Sequence, residues 1–215
     1  MDAARSCERS CRSLASSDAE DALAQVHAQI RACRLCPLSH SRTRTVPGEG
    51  AANAHTMFVG EAPGFDEDRQ GRPFVGAAGR LLTEQLAKIG IQRKSVFITN
   101  VVKCRPPGNR DPEPAEIEAC RDHLLSQIAL INPKVICTLG RFAAHALIDP
   151  KLSISRQHGT PRRLSGILYL PLYHPAAALH QARLIDALES DFRQLRALLD
   201  QEIDHTDSAA GRGHA

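Results

Sequence analysis

No apolar run in this sequence reaches the eighteen or so residues that a membrane-spanning helix requires, and no N-terminal stretch has the apolar centre of a signal peptide. A soluble, intracellular protein with no membrane partner is therefore expected. A large excess of one charge is also missing: 27 Lys and Arg oppose 24 Asp and Glu, giving a formal net charge of +3. That mild basic bias permits a nucleic-acid partner without demanding one. No segment repeats. The phosphate signatures GxGxxG and GxxxxGK[ST] are both absent, which argues against a dinucleotide or P-loop site. A paired CxxC…CxxC zinc ribbon is missing too. The cysteines that are present number seven, odd and unevenly spaced, which does not suit the disulfide framework of a small secreted module.

At 215 residues the chain is long enough to bury a real core in one domain. Residues 1–17 are Ser/Arg-rich without sustained periodicity and residues 201–215 are polar and small, so a disordered arm and a disordered tail are expected around a domain over 18–200. Inside it, four short apolar or β-branched runs, Thr56 to Val59, Ser95 to Thr99, Lys134 to Leu139 and Gly166 to Leu172, predict strands. Helical periodicity covers Asp18 to Ala32, Ala77 to Ile89, Pro114 to Ile131, Arg141 to Ile148 and about Arg183 to Leu199. Near-continuous apolar strands such as VICTL, joined through helices, predict a three-layer α/β/α domain around a mostly parallel four-stranded sheet. In the proline-rich CRPPGNRDPEPAE, Asp111 or Glu113 is suited to cap the helix that Pro114 opens.

In such a sheet, ligands sit beyond the carboxyl ends of the strands. Here those ends carry distinct chemistry: Val59 runs into GEAPG, Ile98 into Thr99-Asn100, Leu139 into Gly140, and Leu172 into Tyr173-His174-Pro175. Gly60 and Gly64 allow a tight turn with a close backbone approach. Phe74, set between Pro73 and small residues in GRPFVG, is a candidate stacking platform, although a lone Phe is more often core. Asn100 offers an amide donor and acceptor to a planar heterocycle, or caps a turn. His174 is placed to donate to a developing negative charge, or is a structural strand-end histidine. The acidic run Asp66, Glu67, Asp68 is expected to repel phosphate.

Cys33 and Cys36 form a CxxC, with Cys104 and Cys120 far downstream. Four thiolates suit zinc or an iron–sulfur cluster, and a CxxC alone suits a redox pair. The spread best fits a cubane cluster tying the first helix to the loop after the second predicted strand. Cys137, within VICTL, reads as a small buried apolar residue. Cys7 and Cys11 fall in the N-terminal arm and read as non-ligands.

Taken together, GEAPG, Glu67-Asp68, GRPFVGAAGRLL, ITNVVKCRPP and YHPAAAL closely resemble the family 4 uracil-DNA glycosylases, from about residue 22 to 199. The resemblance implies an α/β/α glycosylase fold, a [4Fe-4S] cluster on Cys33, Cys36, Cys104 and Cys120, and a monofunctional enzyme that frees uracil from single- or double-stranded DNA and leaves an abasic site. It implies a monomer of the bacterial or archaeal cytosol. In the site it implies that Phe74 stacks the uracil, Asn100 reads its N3/O4 edge, the backbone of Glu61 and Ala62 helps hold O2, and Glu67 crowds the C5 side against thymine. By the same resemblance His174 stabilises the leaving anion and Leu179 fills the emptied stack. Two departures stand out. Ala62 replaces an aspartate that activates water in the best-known uracil glycosylases, leaving Glu61 as the candidate helper. His180-Gln181 stands where the family commonly has an Arg. A non-catalytic DNA-binding module and, more remotely, a zinc-stabilised hydrolase of free nucleotides remain open as alternatives. Lys103, Arg105, Arg110, Arg156, Arg162 and Arg163 are further candidate phosphate contacts.

Overall fold

The computed structural model describes residues 18–179 and 181–210, with side chains up to residue 202. The expected N-terminal arm with Cys7 and Cys11, together with His180 and residues 211–215, lies outside the described residues. Six strands form one sheet: β1 Glu49–Gly50, β2 Thr56–Gly60, β3 Phe97–Asn100, β4 Val135–Leu139, β5 Arg162–Leu164 and β6 Ile167–Leu172, in the order β1-β3-β2-β4-β6-β5. The inner four pair in parallel. Both edges are antiparallel. The expectation of four strands is thus short by two. Each missed strand is only two or three residues long and at least partly exposed, so neither carries an apolar run to betray it.

The helices are α1 over 18–32, α2 Leu38–Ser41, α3 Phe65–Gln70, α4 Ala77–Lys88, α5 Pro114–Ile131, α6 Arg141–Leu147, α7 Ile154–Gln157, α8 Pro175–Ala178 and α9 Ala182–Ala210. Residues 201–210, read from the sequence as part of a disordered tail, continue α9. At the start of α5, Pro114 occupies the first turn, and the Glu116 carboxylate accepts from the Glu113 backbone N–H at 2.8 Å, closing a capping box.

Every residue of β2, β3 and β4 is buried, so both faces of the sheet are covered. Alternation along each strand divides the core. Phe58, Ile98, Cys137, Leu170 and Leu172 face the layer that holds Leu82, Leu86, Leu188, Phe192 and Leu195 of α4 and α9. Met57, Val59, Phe97, Ile136 and Tyr169 face the layer that holds Leu23 of α1 and Cys120, Leu124 and Ile131 of α5. Phe58 and Phe192 stack with centroids 5.9 Å apart. Burying each such side chain contributes roughly 1.5–3 kcal/mol. Cys137 is fully buried, and burial pushes its thiol pKa well up, as its position inside VICTL implies. Among the described residues no helix is long and apolar enough to cross a membrane.

Candidate active site

The carboxyl ends of β2, β3 and β6 open into one pocket of about 190 Å³. Glu61, Ala62, Glu67, Phe74, Asn100 and His174, six residues singled out in the sequence, all line it. That volume lies below the several hundred Å³ of a typical small-molecule site and suits a single planar ring.

Gly60 and Asn100 are opposed in the parallel register of β2 and β3. A Cβ added at Gly60 would collide with Asn100 Oδ1 and lie 2.6 Å from Phe74 Cζ. Glycine here is what lets the amide and the ring approach across the strand end. Asn100 is only 1% exposed, yet its Oδ1 has no hydrogen-bond partner in the protein. A buried acceptor left unpaired costs about 1–3 kcal/mol, so a ligand N–H at this point recovers what the free protein forgoes.

Phe74 sits at φ 50°, in the left-handed region, which is costly for an aromatic residue. Three features hold it there. Glu67 Oε1 accepts from the N–H groups of Val75 and Gly76, each at 2.9 Å. Arg93, ion-paired to Glu49 at 2.7 Å, also donates to the Pro73 carbonyl at 2.7 Å. Gly79 of α4 lets that helix run directly against the Phe74 backbone, where any Cβ would overlap its carbonyl. Arg93 was invisible in the sequence because Pro73 and Glu49 are twenty or more residues away and no local pattern marks it, whereas Gly79, five residues after Phe74, stands within GRPFVGAAGRLL without a role having been read for it.

His174 caps α8, and its Nδ1 accepts from the Ala176 backbone N–H at 3.1 Å. The proton of the neutral ring therefore resides on Nε2, which is left as a donor. Desolvation pulls the His174 pKa down to about 4, against a smaller upward pull from Glu67. The ring lies 5.7 Å from that of Phe74. Glu61 is also perturbed: burial, and then the charge of Asp111, push its pKa up to about 7, partly offset by Arg141. Of the expected repelling run, Asp68 accepts from the backbone N–H groups of Thr43 and Arg44, and Glu67 is bonded as above, so two of the three carboxylates are spent inside the fold.

Lys103, read from the sequence as a phosphate contact, is instead 1% exposed. Its Nζ donates to Thr99 Oγ1 at 2.6 Å, to the Asn100 carbonyl at 2.7 Å and to Gln127 Oε1 at 2.7 Å. Desolvation lowers its pKa to about 7. All three donors are satisfied, and the backbone of Asn100 is fixed from below. The flanking VVKC, apolar on both sides, was the available signal for burial. Among the other candidate cations, Arg110 pairs with Glu116 at 2.7 Å, Arg163 with Glu202, and Arg162 lies 3.9 Å from Asp149. Leu179, at the end of α8, is 44% exposed.

On the α1/α5 side, Cys33 and Cys36 are half-buried, and Cys104 and Cys120 are buried. Arg42 Nη1 donates to Cys104 Sγ at 3.0 Å and the Lys103 N–H to Cys120 Sγ at 3.3 Å. Burial pushes the Cys120 thiol up to about 11, with smaller upward pulls from Cys104 and Cys33. Cys104 is raised too, by burial first, against downward pulls from Arg42 and with smaller upward pulls from Cys36 and Cys33. Cys104 thus feels both Cys33 and Cys36, and Cys120 feels Cys33 and Cys104. Among the described residues, no three His, Cys, Asp or Glu groups are gathered so as to hold a single metal ion.

An α/β/α sheet with a small pocket at its strand ends, presenting an aromatic platform, an unpaired amide and a neutral histidine, defines a class that reads one planar base. The family model of the uracil DNA glycosylase superfamily matches residues 47–199. The chain is similar to the type-4 uracil-DNA glycosylase of Archaeoglobus fulgidus, at 46% identity over 83% of this chain and 94% of that protein. It is similar to the type-4 enzyme of Sulfurisphaera tokodaii, at 48% identity over 83% of this chain and 85% of that protein. A third, from Thermotoga maritima, is 48% identical over 74% of this chain and 84% of that protein. The chain belongs to the uracil-DNA glycosylase superfamily and, within it, to the type-4 family.

Proposed function

We propose that the chain excises uracil from DNA by holding the extruded base in this pocket. The observation that carries the reading is the convergence of the Phe74 ring, the unpaired Asn100 Oδ1 and the His174 Nε2 donor in a space of about 190 Å³. Extrusion is required because the glycosidic bond of a stacked base is out of reach. Uracil N3–H is the donor that Asn100 Oδ1 lacks, and the amide N–H₂ suits O4. Phe74 stacks one face of the ring. Glu67 lines the pocket and fixes the Phe74 loop, and by resemblance it also crowds C5. A shaped carboxylate helps because a merely apolar pocket rejects one methyl by only about 1–3 kcal/mol.

In the reaction the N1–C1′ bond breaks with its electron pair passing to the uracil, and C1′ gains positive character. His174 Nε2–H donates to the anion at O2, with the backbone of Glu61 and Ala62 alongside. Water adds to C1′, and the proton it loses passes by way of the Glu61 carboxylate and solvent to the uracil anion, so that neutral uracil and the abasic site are the products. The Glu61 carboxylate is the group in place to orient the water, since Ala62 offers none. Leu179 fills the gap left in the stack, and Arg105 and Arg156 meet phosphates. The DNA partner is single- or double-stranded, and the chain acts as a monomer.

Four cysteine thiols are the donor set of a [4Fe-4S] cluster: Cys104 and Cys120, buried with raised pKa, ionise readily only against a cationic centre, and the Arg42 and Lys103 N–H donors to their sulfurs are of the kind that tune cluster sulfurs. Cys33, Cys36, Cys104 and Cys120 would hold the cluster, which ties α1 to the loop after β3 and supports the segment carrying Asn100 structurally. Chemical analysis of anaerobically purified protein is expected to find about four iron and four sulfide per chain. Zinc in their place overturns the assignment.

The activity is checked with uracil-containing oligonucleotides, single- and double-stranded, followed by alkali. Strand scission at the uracil is expected with wild type and is reduced by Asn100→Ala. Uracil-dependent binding with no scission in either substrate favours the non-catalytic module.

A further inference from the structure

All eight Phe and Tyr residues of the chain lie within the described structure, and seven are at least partly buried. Phe65 is the exception. Its side chain is 51% exposed and belongs to neither hydrophobic core. Its position is also specific. Phe65 directly follows Gly64, which lines the pocket, and opens α3. Two guanidinium groups lie against its ring, Arg105 at 5.1 Å and Arg69 at 5.5 Å from the centroid. Arg105 precedes Pro106, another pocket residue, and donates to Asn109 Oδ1, a third, at 2.6 Å. Neither arginine is ion-paired to an acidic side chain among the described residues.

An exposed ring costs solvation and here serves no packing role. Flanked by two cations that have no acidic partner, at the rim of a base pocket, it has the composition of a single-strand site: a π-face for an unpaired base and positive charge for the backbone. Of the acidic run that follows it, only Asp66 is left unspent, since Glu67 and Asp68 bond inward. In a duplex the neighbouring base is held in its own stack and has no use for such a face. In a single strand it is free to leave.

Building on the uracil-excision reading, we propose that Phe65, with Arg69 and Arg105, is a stacking platform for the unpaired base next to the extruded uracil, and that it sets the preference of this chain for single-stranded over double-stranded DNA. Base–aromatic stacking of this kind is worth about 1–3 kcal/mol, a factor of roughly 5 to 150 in affinity.

The test uses oligonucleotides carrying 2-aminopurine on one or the other side of the uracil, at one fixed salt concentration. Binding of wild type is expected to quench the fluorescence on one side. Phe65→Ala and Phe65→Leu are expected to abolish that quenching and to weaken single-strand binding and uracil release by roughly 5- to 150-fold. Release from duplex should change less than about threefold, and Phe65→Tyr should behave as wild type. Phe65→Leu keeps the apolar volume, so a folding defect would appear in its thermal melt and spare neither substrate. Equal losses on both substrates, or unchanged quenching in Phe65→Leu, overturn the platform. Quenching reports binding without turnover, so an inactive wild type that still quenches would count against the excision reading and leave the platform standing.

Discussion

His174→Ala is expected to lower the single-turnover rate of uracil release by about 10²–10³-fold, with little change in affinity for uracil-containing DNA. The ring is oriented before substrate arrives: Nδ1 is occupied by the Ala176 N–H, so Nε2 must carry the proton on a residue that lines the pocket. A donor fixed where charge develops costs no reorganisation during bond cleavage, and its removal is worth about 2.7–4 kcal/mol of barrier. Neutrality matters as much as position. With its pKa lowered by burial to about 4, His174 stays an uncharged donor throughout the neutral range. Burial also gives a stability consequence of definite sign. The unfolded chain protonates this ring near 6.5 and the native chain near 4, so native stability falls as pH drops from about 6.5 toward 4 and is unaffected above that window. A rate loss under tenfold in His174→Ala would remove the histidine from the leaving-group role.

Glu61 has the opposite pH signature. Its pKa is raised to about 7, chiefly by desolvation, so the protein holds this carboxyl protonated between about 4.5 and 7 where the unfolded chain would ionise it. If the carboxylate orients the attacking water, log rate climbs with pH and levels off above about 7, and Glu61→Gln flattens that rise. No inflection belongs to His174 in this range. The two residues therefore separate in one set of pH–rate profiles.

What the sequence revealed and what it concealed divide along a physical line. The four parallel strands and the helices between them were legible because both faces of the sheet are buried, which forces apolar runs such as VICTL. The pocket was legible because Gly60, Asn100 and His174 each sit at or just past a strand end, which topology brings together, and because Phe74, in the loop between α3 and α4, is flagged by its setting in GRPFVG. The two short edge strands left no such trace. Neither did the supports of the site. Lys103 looked like a surface cation, yet three acceptors drawn from β3 and α5 compensate its burial, a network that only the folded chain assembles. Arg93 reaches Pro73 from twenty residues away. Residues that touch a ligand announce themselves by chemical type, whereas residues that position them are chosen by distance in space, which one sequence does not encode locally.

Gly60→Ala should cost at least about 10²-fold in uracil release while the protein still folds. The added methyl would strike Asn100 Oδ1 and lie 2.6 Å from Phe74 Cζ and 2.8 Å from Cε2. Neither neighbour can yield freely. Asn100 is buried at the end of β3 with its carbonyl held by Lys103, and Phe74 is pinned by the Glu67 and Arg93 contacts to its loop. Relief must therefore come from turning the amide or displacing the ring, and either one misplaces a group proposed to hold the base. Misplacement of about 1 Å is enough for a 10²-fold loss. The strain itself is the ordinary cost of overpacking, about 1–3 kcal/mol, which a domain of this size survives. Thermal melting measured beside single-turnover kinetics separates the two effects: a melt lowered by a few degrees with the rate down a hundredfold locates the loss in the pocket. Near-normal excision by Gly60→Ala would mean that the amide and the ring have room to retreat, and that the base is not gripped between them.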